Sequence, residues 1–299
     1  MLMELNFLNA FVIIDENIMI KIPLTFLPTI ILLACSSNDN QAKQDQSLLE
    51  FSQYSESVQD TFYIEVQLPR EYYRNETRRY KTVYLLDGNF YFPMMASIIG
   101  QYEIAQWIEP VILIGVGYKN FKTMDSLRVR DYLYPKAIPS DEIIAAGGGQ
   151  KFNDFLTTEL IPRIDSGFRT EKNHRALLGH SFGGYFVLYS LLRQLENKTH
   201  NFSTFISASP VLWYNDFYLK NLPTDLATNA NGIKLFVSVG GQEDSVWSVI
   251  PVKNLTAEIV RNRVKQLEFK SHVYNHLDHM DVSLLSFTKG LQDFIRKEN

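Results

Sequence analysis

The sequence has 299 residues, of which 45% are hydrophobic and 21% are charged, and its formal net charge is −4. This composition is that of a globular protein with enough apolar residues for a large core, and it excludes a disordered chain. The slightly acidic balance gives no electrostatic basis for binding nucleic acid, and no internal repeat or long low-complexity tract is present.

The first distinctive segment is an apolar run at residues 22–34, which follows Lys21 and precedes the single cysteine, Cys35. The run is short for a membrane span and is typical of a secretory signal peptide. The segment LLAC followed by SSNDN resembles the lipobox of bacterial lipoproteins. We therefore predict a signal peptide over 1–34 and lipidation of Cys35, with 1–18 as a start-site artefact. The alternative is a buried N-terminal helix with an incidental cysteine.

A polar tract follows the cysteine. We interpret residues 35–55 as a lipidated tether and residues 56–299 as one catalytic domain, because no linker composition interrupts the latter. Without Cys35 this domain has no cysteine, which excludes disulfides and thiol chemistry from it. The predicted location is the bacterial cell envelope, where a lipid anchor holds the domain on the membrane, facing the periplasm or the cell surface.

Apolar strands and amphipathic helices alternate along the domain. Strands are predicted at 60–69, 80–88, 110–117, 175–179, 202–209, 234–240 and 268–274. Helices are predicted at 151–165, 185–195, 251–267 and 281–297. This alternation predicts an α/β fold with a mostly parallel central sheet and helices on both faces. Residues 118–150 are interpreted as a loop-rich segment that borders a site.

The segment GHSFGG joins a predicted strand to a predicted helix and fits the pattern G-x-S-x-G through Gly179, Ser181 and Gly183. Between a strand and a helix, this pattern indicates a sharp turn that exposes the serine oxygen above the helix N-terminus. The alternative is a glycine-rich crossover without chemistry. We predict that Ser181 is a nucleophile.

A serine nucleophile needs a base and a group that orients the base, and in this kind of fold the chain order is serine, acid, histidine. The segment GGQED follows the strand at 234–240 and supplies Glu243, with Asp244 as the alternative acid. A solvated acidic turn is the competing interpretation. His279 lies between the last strand and the final helix, where the base is expected.

The segment HLDHMD also suggests a metal site, since His276 and His279 stand beside aspartates. No further histidine or cysteine clusters with them, so we predict neither a metal nor a cofactor. His180 is adjacent to the nucleophile. We expect its side chain to point away from the site and to fill space or tune its neighbours.

Two backbone N–H groups are needed to stabilise the oxyanion of a tetrahedral intermediate. The residue after the nucleophile, Phe182, supplies one of them. The segment LLDGNF supplies the other through Asn89, because Gly88 lets the chain turn there. An ordinary strand-end turn is the alternative for this second segment.

Taken together, these motifs resemble the Putative esterase family of α/β-hydrolases, which includes esterase D-like enzymes, feruloyl esterases and ferri-siderophore esterases. The matching segments are VYLLDGNFYF, RVRDYLYP, GGGQKFNDFLTTELIPRID, LLGHSFGGYFVLYSLL, FISASPVLWY, LFVSVGGQED and HMDVSLLSFTKGLQDF. They run in family order over about residues 60–297. The resemblance implies Ser181 as nucleophile and His279 as base. The resemblance identifies the acid less well, because some siderophore esterases of this family work with a serine–histidine pair and no acid.

The resemblance also implies two substrate-binding candidates. Trp213, in SASPVLWY, would line an acyl or aromatic pocket, and an ordinary core tryptophan is the alternative. Arg130, in RVRDY, would either bind substrate or brace a loop.

The expected activity is that of a serine carboxylic-ester hydrolase acting through an acyl-enzyme. The expected substrate is a siderophore lactone or an acylated or feruloylated glycan. One alternative is an acyltransferase, since mycolyltransferases resemble this fold. The other is a non-catalytic envelope lipoprotein that binds a ferri-siderophore or a glycan.

Overall fold

Eight strands form one sheet in the computed structural model, which describes residues 47–141 and 143–296. The strands are β1 (Leu48–Ser55), β2 (Asp60–Gln67), β3 (Tyr80–Leu85), β4 (Val111–Gly117), β5 (Thr170–His180), β6 (Thr204–Ala208), β7 (Ile233–Gly240) and β8 (Leu267–Tyr274). Their order in the sheet is β1-β2-β4-β3-β5-β6-β7-β8. Strand β2 pairs antiparallel with both β1 and β4, and the six strands β3 to β8 are parallel to one another. The predicted mostly parallel sheet is confirmed.

Helices connect most of the parallel strands and cover the faces of the sheet. The α-helices are α1 (Gly88–Ile104), α2 (Phe121–Tyr132), α3 (Gly149–Asp154), α4 (Ile161–Gly167), α5 (Phe182–Asn197), α6 (Tyr214–Phe217), α7 (Leu222–Asn229), α8 (Ile250–Asn262) and α9 (Val282–Phe294). One π-helical turn, Phe155–Leu160, joins α3 to α4, and another, Ser245–Val249, precedes α8. Within the described ranges, no helix is both long enough and apolar enough to span a membrane.

The core lies on both faces of the sheet. All seven residues of β4 are buried; Ile112 and Ile114 belong to one apolar cluster, whereas Val111 and Leu113 belong to the other. Successive side chains of a strand point to opposite faces, so a strand covered on both sides is apolar throughout. Helix α5 contributes to the first cluster, and α1 and α9 contribute to the second. This packing holds the carboxyl ends of the parallel strands at one edge of the sheet.

Four of the described helices, α1, α2, α6 and α7, were not predicted. Helix α2 lies within the segment interpreted as loop-rich, where the Asn120 side chain accepts a hydrogen bond from the Thr123 N–H at 2.9 Å. This helix buries few apolar residues, so its sequence carries little helical periodicity. Helix α1 begins at Gly88, where strand was predicted, and Pro93 and Gly100 interrupt its pattern.

The first strand also differs from the sequence interpretation. Residues 48–55 were assigned to the tether, but they form β1 and pair with β2, for example Phe51 with Ile64. The sheet therefore begins before residue 56. The predicted signal peptide and the predicted lipidation of Cys35 lie outside the described residues.

Candidate active site

Ser181 lies at the turn between β5 and α5, with φ 61° and ψ −118°. A non-glycine residue rarely adopts a positive φ, and such strain persists only where the surroundings enforce it. The surroundings here are tight backbone contacts. A Cβ at Gly179 would collide with the carbonyl oxygen of Gly183, and a Cβ at Gly184 would lie 2.6 Å from the carbonyl oxygen of Ala208. Gly179 and Gly184 of GHSFGG are therefore required by the close backbone packing around the turn that presents Ser181.

Glu243 and His279 are joined by a short hydrogen bond, in which the His279 Nδ1–H donates to the Glu243 Oε2 at 2.7 Å. The Glu243 side chain is only 2% exposed. The Ser209 hydroxyl donates to its other oxygen, Oε1, at 2.5 Å, and the Gly240 N–H donates to the same oxygen at 2.7 Å. Burial raises the pKa of the Glu243 carboxyl, but the hydrogen bonds from His279, Ser209 and Gly240 outweigh burial and leave this pKa below its usual value.

Asp244, the alternative acid, has a different partner. Its carboxylate accepts hydrogen bonds from the Val246 and Trp247 N–H groups, both at 2.8 Å, and so caps the turn before α8. The structure therefore brings Glu243, and not Asp244, to His279.

His180, the residue before Ser181, is in contact with His279. The His180 ring lies against the His279 ring with a centroid separation of 4.5 Å, and Ser181 is the next residue after His180. Within residues 47–141 and 143–296, neither the Ser181 hydroxyl nor the His279 Nε2 makes a hydrogen bond of 3.5 Å or less. Glu243 occupies Nδ1, so Nε2 is the nitrogen left for Ser181. The bond between a nucleophile and its base is often long until substrate binds.

Both predicted oxyanion donors lie in first turns of helices. Phe182 begins α5, and Asn89 is the second residue of α1. In the described part of the chain, neither N–H has a backbone acceptor, as expected for the first turn of a helix. The Asn89 side chain is fixed by the backbone of Tyr118, with its Nδ2 donating at 2.8 Å and its Oδ1 accepting at 2.6 Å. Each predicted donor is therefore an N–H without a backbone acceptor at a helix N-terminus, where the helix dipole favours a negative charge.

A buried ion pair next to the turn at Ser181, which we call the elbow, was not found from the sequence. The Arg128 guanidinium binds Asp87 through two hydrogen bonds of 2.9 and 2.7 Å, and it also donates to the His180 carbonyl oxygen at 3.2 Å. Asp87 is 2% exposed and has a φ of 54°. From the sequence, Asp87-Gly88 was interpreted as a turn and Arg130 of RVRDY was singled out, whereas Asp87 and Arg128 were given no role.

Arg130 lies in ion pairs away from the elbow. Its guanidinium binds Asp131 at 2.7 Å and Asp60 at 2.8 Å, which ties α2 to the start of β2. Trp213 is partly buried and packs against the main core cluster. Among the described residues, no group of three or more histidine, cysteine, aspartate or glutamate side chains is arranged to hold a metal ion.

The sequence of the chain is similar to those of known esterases. The Putative esterase family model matches residues 55–283. The chain is similar to the ferri-bacillibactin esterase BesA of Bacillus subtilis, with 32% identity over 152 residues, which is 47% of this chain and 51% of that protein. It is also similar to an apo-salmochelin esterase of Escherichia coli, with 31% identity over 141 residues, or 44% and 42% of the two chains. The chain thus spans about half the length of these relatives.

Solved structures share the architecture over a longer stretch. The BES protein from Bacillus cereus superimposes with a TM-score of 0.73 at 24% identity, covering 84% of this chain and 95% of that one. An IroE-like serine hydrolase from Shewanella oneidensis superimposes with a TM-score of 0.70 at 25% identity, covering 83% and 80%. The fold is that of an α/β-hydrolase, and the chain belongs to the Putative esterase family.

Proposed function

We propose that this protein is a serine carboxylic-ester hydrolase that works through an acyl-enzyme. The observation that carries the proposal is the imidazole of His279, held by the buried carboxylate of Glu243 beside the strained turn at Ser181. A serine raised on such a turn, a base and an orienting carboxylate are the parts that nucleophilic acyl transfer requires. The similarity to two siderophore esterases supports the same reaction class.

The steps follow from the hydrogen bonds. The Ser181 Oγ attacks the ester carbonyl carbon as its proton passes to the His279 Nε2, and Glu243 stabilises the imidazolium that forms. The N–H groups of Phe182 and Asn89 stabilise the oxyanion. The tetrahedral intermediate then expels the alcohol, which takes the proton from His279. A water molecule hydrolyses the acyl-enzyme by the same steps and regenerates the Ser181 hydroxyl.

The substrate class that we propose is a siderophore ester or lactone. Its support is similarity: the named activities of the two bacterial relatives are a ferri-bacillibactin esterase and an apo-salmochelin esterase. An acylated or feruloylated glycan is the other class that the sequence left open. A panel with a catecholate trilactone, a feruloyl glycoside and p-nitrophenyl acetate separates them. A feruloyl glycoside hydrolysed with the highest kcat/KM would reject the siderophore class but leave ester hydrolysis in place.

The test of the reaction itself is covalent labelling. We expect a fluorophosphonate probe to add once to the full chain, as seen by intact mass, and the adduct to be absent from Ser181→Ala. Ser126→Ala is the matched control, because the Ser126 hydroxyl bonds only the Thr123 carbonyl on the exposed face of α2. A folded protein that takes up no probe would mean that the elbow is architectural, and a binding lipoprotein would become the leading interpretation.

We also propose that residues 1–34 are removed as a signal peptide and that Cys35 carries a lipid anchor in the bacterial envelope. The support is the order of Lys21, the apolar run, LLAC and the polar tract.

A further inference from the structure

His180 is the last residue of β5 and is 3% exposed, so its imidazole lies in the protein interior. Both ring nitrogens have partners. The Nδ1 lies 2.9 Å from the Tyr91 hydroxyl, and the Nε2 lies 2.7 Å from the backbone carbonyl oxygen of His279. One histidine therefore touches the main chain of another histidine, the proposed base.

The direction of both hydrogen bonds follows from donor chemistry. A carbonyl oxygen only accepts, so the proton is on the His180 Nε2, and the Nδ1 accepts from the Tyr91 hydroxyl. Burial, with the neighbouring His279 as the next cause, lowers the pKa of His180 to about 3. Burial raises the pKa of Tyr91 to about 12. Near neutral pH both groups are uncharged, and this chain of two bonds keeps one orientation.

This hydrogen bond anchors the loop that carries His279. It connects β8 to α9, and His276 and Asp278 on it are exposed. The His279 side chain is held at Nδ1 by Glu243, and its backbone is held at the carbonyl by His180. Two fixed points on one residue define where its Nε2 lies.

We infer that His180 is a positioning residue, which fixes the backbone of the base so that the His279 Nε2 stays within reach of Ser181. The inference rests on the proposed function. It also involves α1, because Tyr91 lies two residues after the oxyanion donor Asn89, and its ring packs edge-on against Phe287 of α9 at 5.3 Å. The hydrogen bonds of His180 thus link α1, β5 and the loop between β8 and α9, which we call the base loop.

The test uses two substitutions of His180, made in the full chain, whose side chains differ in length. His180→Gln places an amide N–H near the former Nε2 and retains a donor for the His279 carbonyl. His180→Asn is one methylene shorter and loses that donor. We expect His180→Asn to lower kcat on p-nitrophenyl acetate about 10- to 100-fold with little change in KM, and His180→Gln to recover most of the loss, since small displacements of a catalytic group cost this much. His276→Asn, on the same loop but exposed, is the control and should change kcat less than about twofold.

A second readout does not depend on turnover. The proton NMR signal of the His279 Nδ1–H on Glu243 should be present in the wild type and His180→Gln and lost or shifted in His180→Asn. If His180→Asn does not fold, Tyr91→Phe serves in its place, because it removes only the hydroxyl that donates to the His180 Nδ1 and helps to hold the ring, and it should shift the same signal.

The outcomes separate the two proposals. Unchanged kcat and an unchanged His279 signal in His180→Asn would overturn the positioning role and leave ester hydrolysis standing. A wild type that neither turns over esters nor takes up the fluorophosphonate probe would overturn the proposed function, and the His279 signal would still decide whether His180 positions the base loop.

Discussion

At the scale of single residues, its contacts rather than its place in the sequence favour Glu243 as the acid of the proposed mechanism. Glu243 and Asp244 are neighbours, both follow β7, and either fits the expected chain order. Their carboxylates nevertheless bind different groups, His279 in one case and the N–H groups that begin a helical turn in the other. Each role therefore predicts a different defect.

We expect Glu243→Gln to lower kcat about 10²- to 10⁴-fold, because an amide neither stabilises the imidazolium nor keeps the proton on the correct nitrogen. Asp244→Asn should change kcat less than about threefold, and it should lower the free energy of unfolding by at most about 1 kcal/mol through the weakened cap. Ester hydrolysis at pH 7 and urea denaturation measure the two effects. Equal losses of kcat would mean that both carboxylates serve the base.

The sequence was sufficient to locate candidate site residues that follow the ends of strands in a fixed order. Ser181 and His279 follow β5 and β8 and could be located from that order, whereas the order left Glu243 and Asp244, both after β7, as alternatives. Ser209 and Arg128 could not, because they reach Glu243 and Asp87 from segments more than thirty residues away. A linear pattern shows which residues are neighbours along the chain, but not which loops meet at a sheet edge.

At the scale of elements, the predicted strands succeed where burial on both faces gives an unbroken apolar run, as in β4. Prediction fails for α2, which buries the charged Asp131 beside Tyr132, so polarity no longer marks the exposed face. It fails for β1 as well, because the alternating but polar segment LLEFSQYS directly follows the tether. In each case tertiary partners, not local preference, decide the structure.

The antiparallel pair of strands β1 and β2 also places two negatively charged side chains opposite each other. Glu65 of β2 lies opposite Glu50 of β1, and burial together with this neighbour raises the pKa of Glu65 to about 7. The folded state thus holds a proton that the unfolded state releases near the usual pKa of 4.5. Stability is therefore lost as the pH rises from about 4.5 to about 7.

We expect Glu65→Gln to increase the free energy of unfolding at pH 8 by about 1 kcal/mol, after allowance for solvent screening, and by much less at pH 5. Glu50→Gln should give a smaller gain of the same sign, because it removes the repulsion but not the burial. Urea denaturation at the two pH values measures both. A gain for Glu65→Gln that is equal at pH 5 and pH 8 would contradict this account.

At the scale of the whole molecule, the distance along the chain between Cys35 and the sheet limits where an anchored domain can lie. The first strand begins at Leu48, thirteen residues after the cysteine. A fully extended chain of that length spans at most about 45 Å. On the proposal that Cys35 carries a lipid, the sheet would therefore begin within about 45 Å of the anchor.

We expect Cys35→Ser to abolish incorporation of a clickable fatty acid and to move the protein from the membrane fraction to the soluble fraction. Hydrolysis of a water-soluble ester should stay within about twofold of the wild type, because the anchor takes no part in the chemistry. Wild-type protein without label, or Cys35→Ser protein that still sediments with membranes, would reject the anchor.

The order of the strands has one more consequence, for the time at which activity arises. Ser181 follows β5 in the middle of the sheet, whereas His279 follows β8 at its far edge, about 100 residues later in the chain. At ribosomal rates of about 5–20 residues per second, a growing chain carries its nucleophile for several seconds before its base exists. On the proposed mechanism, a chain that has been synthesised only as far as Ser181 therefore cannot cleave esters.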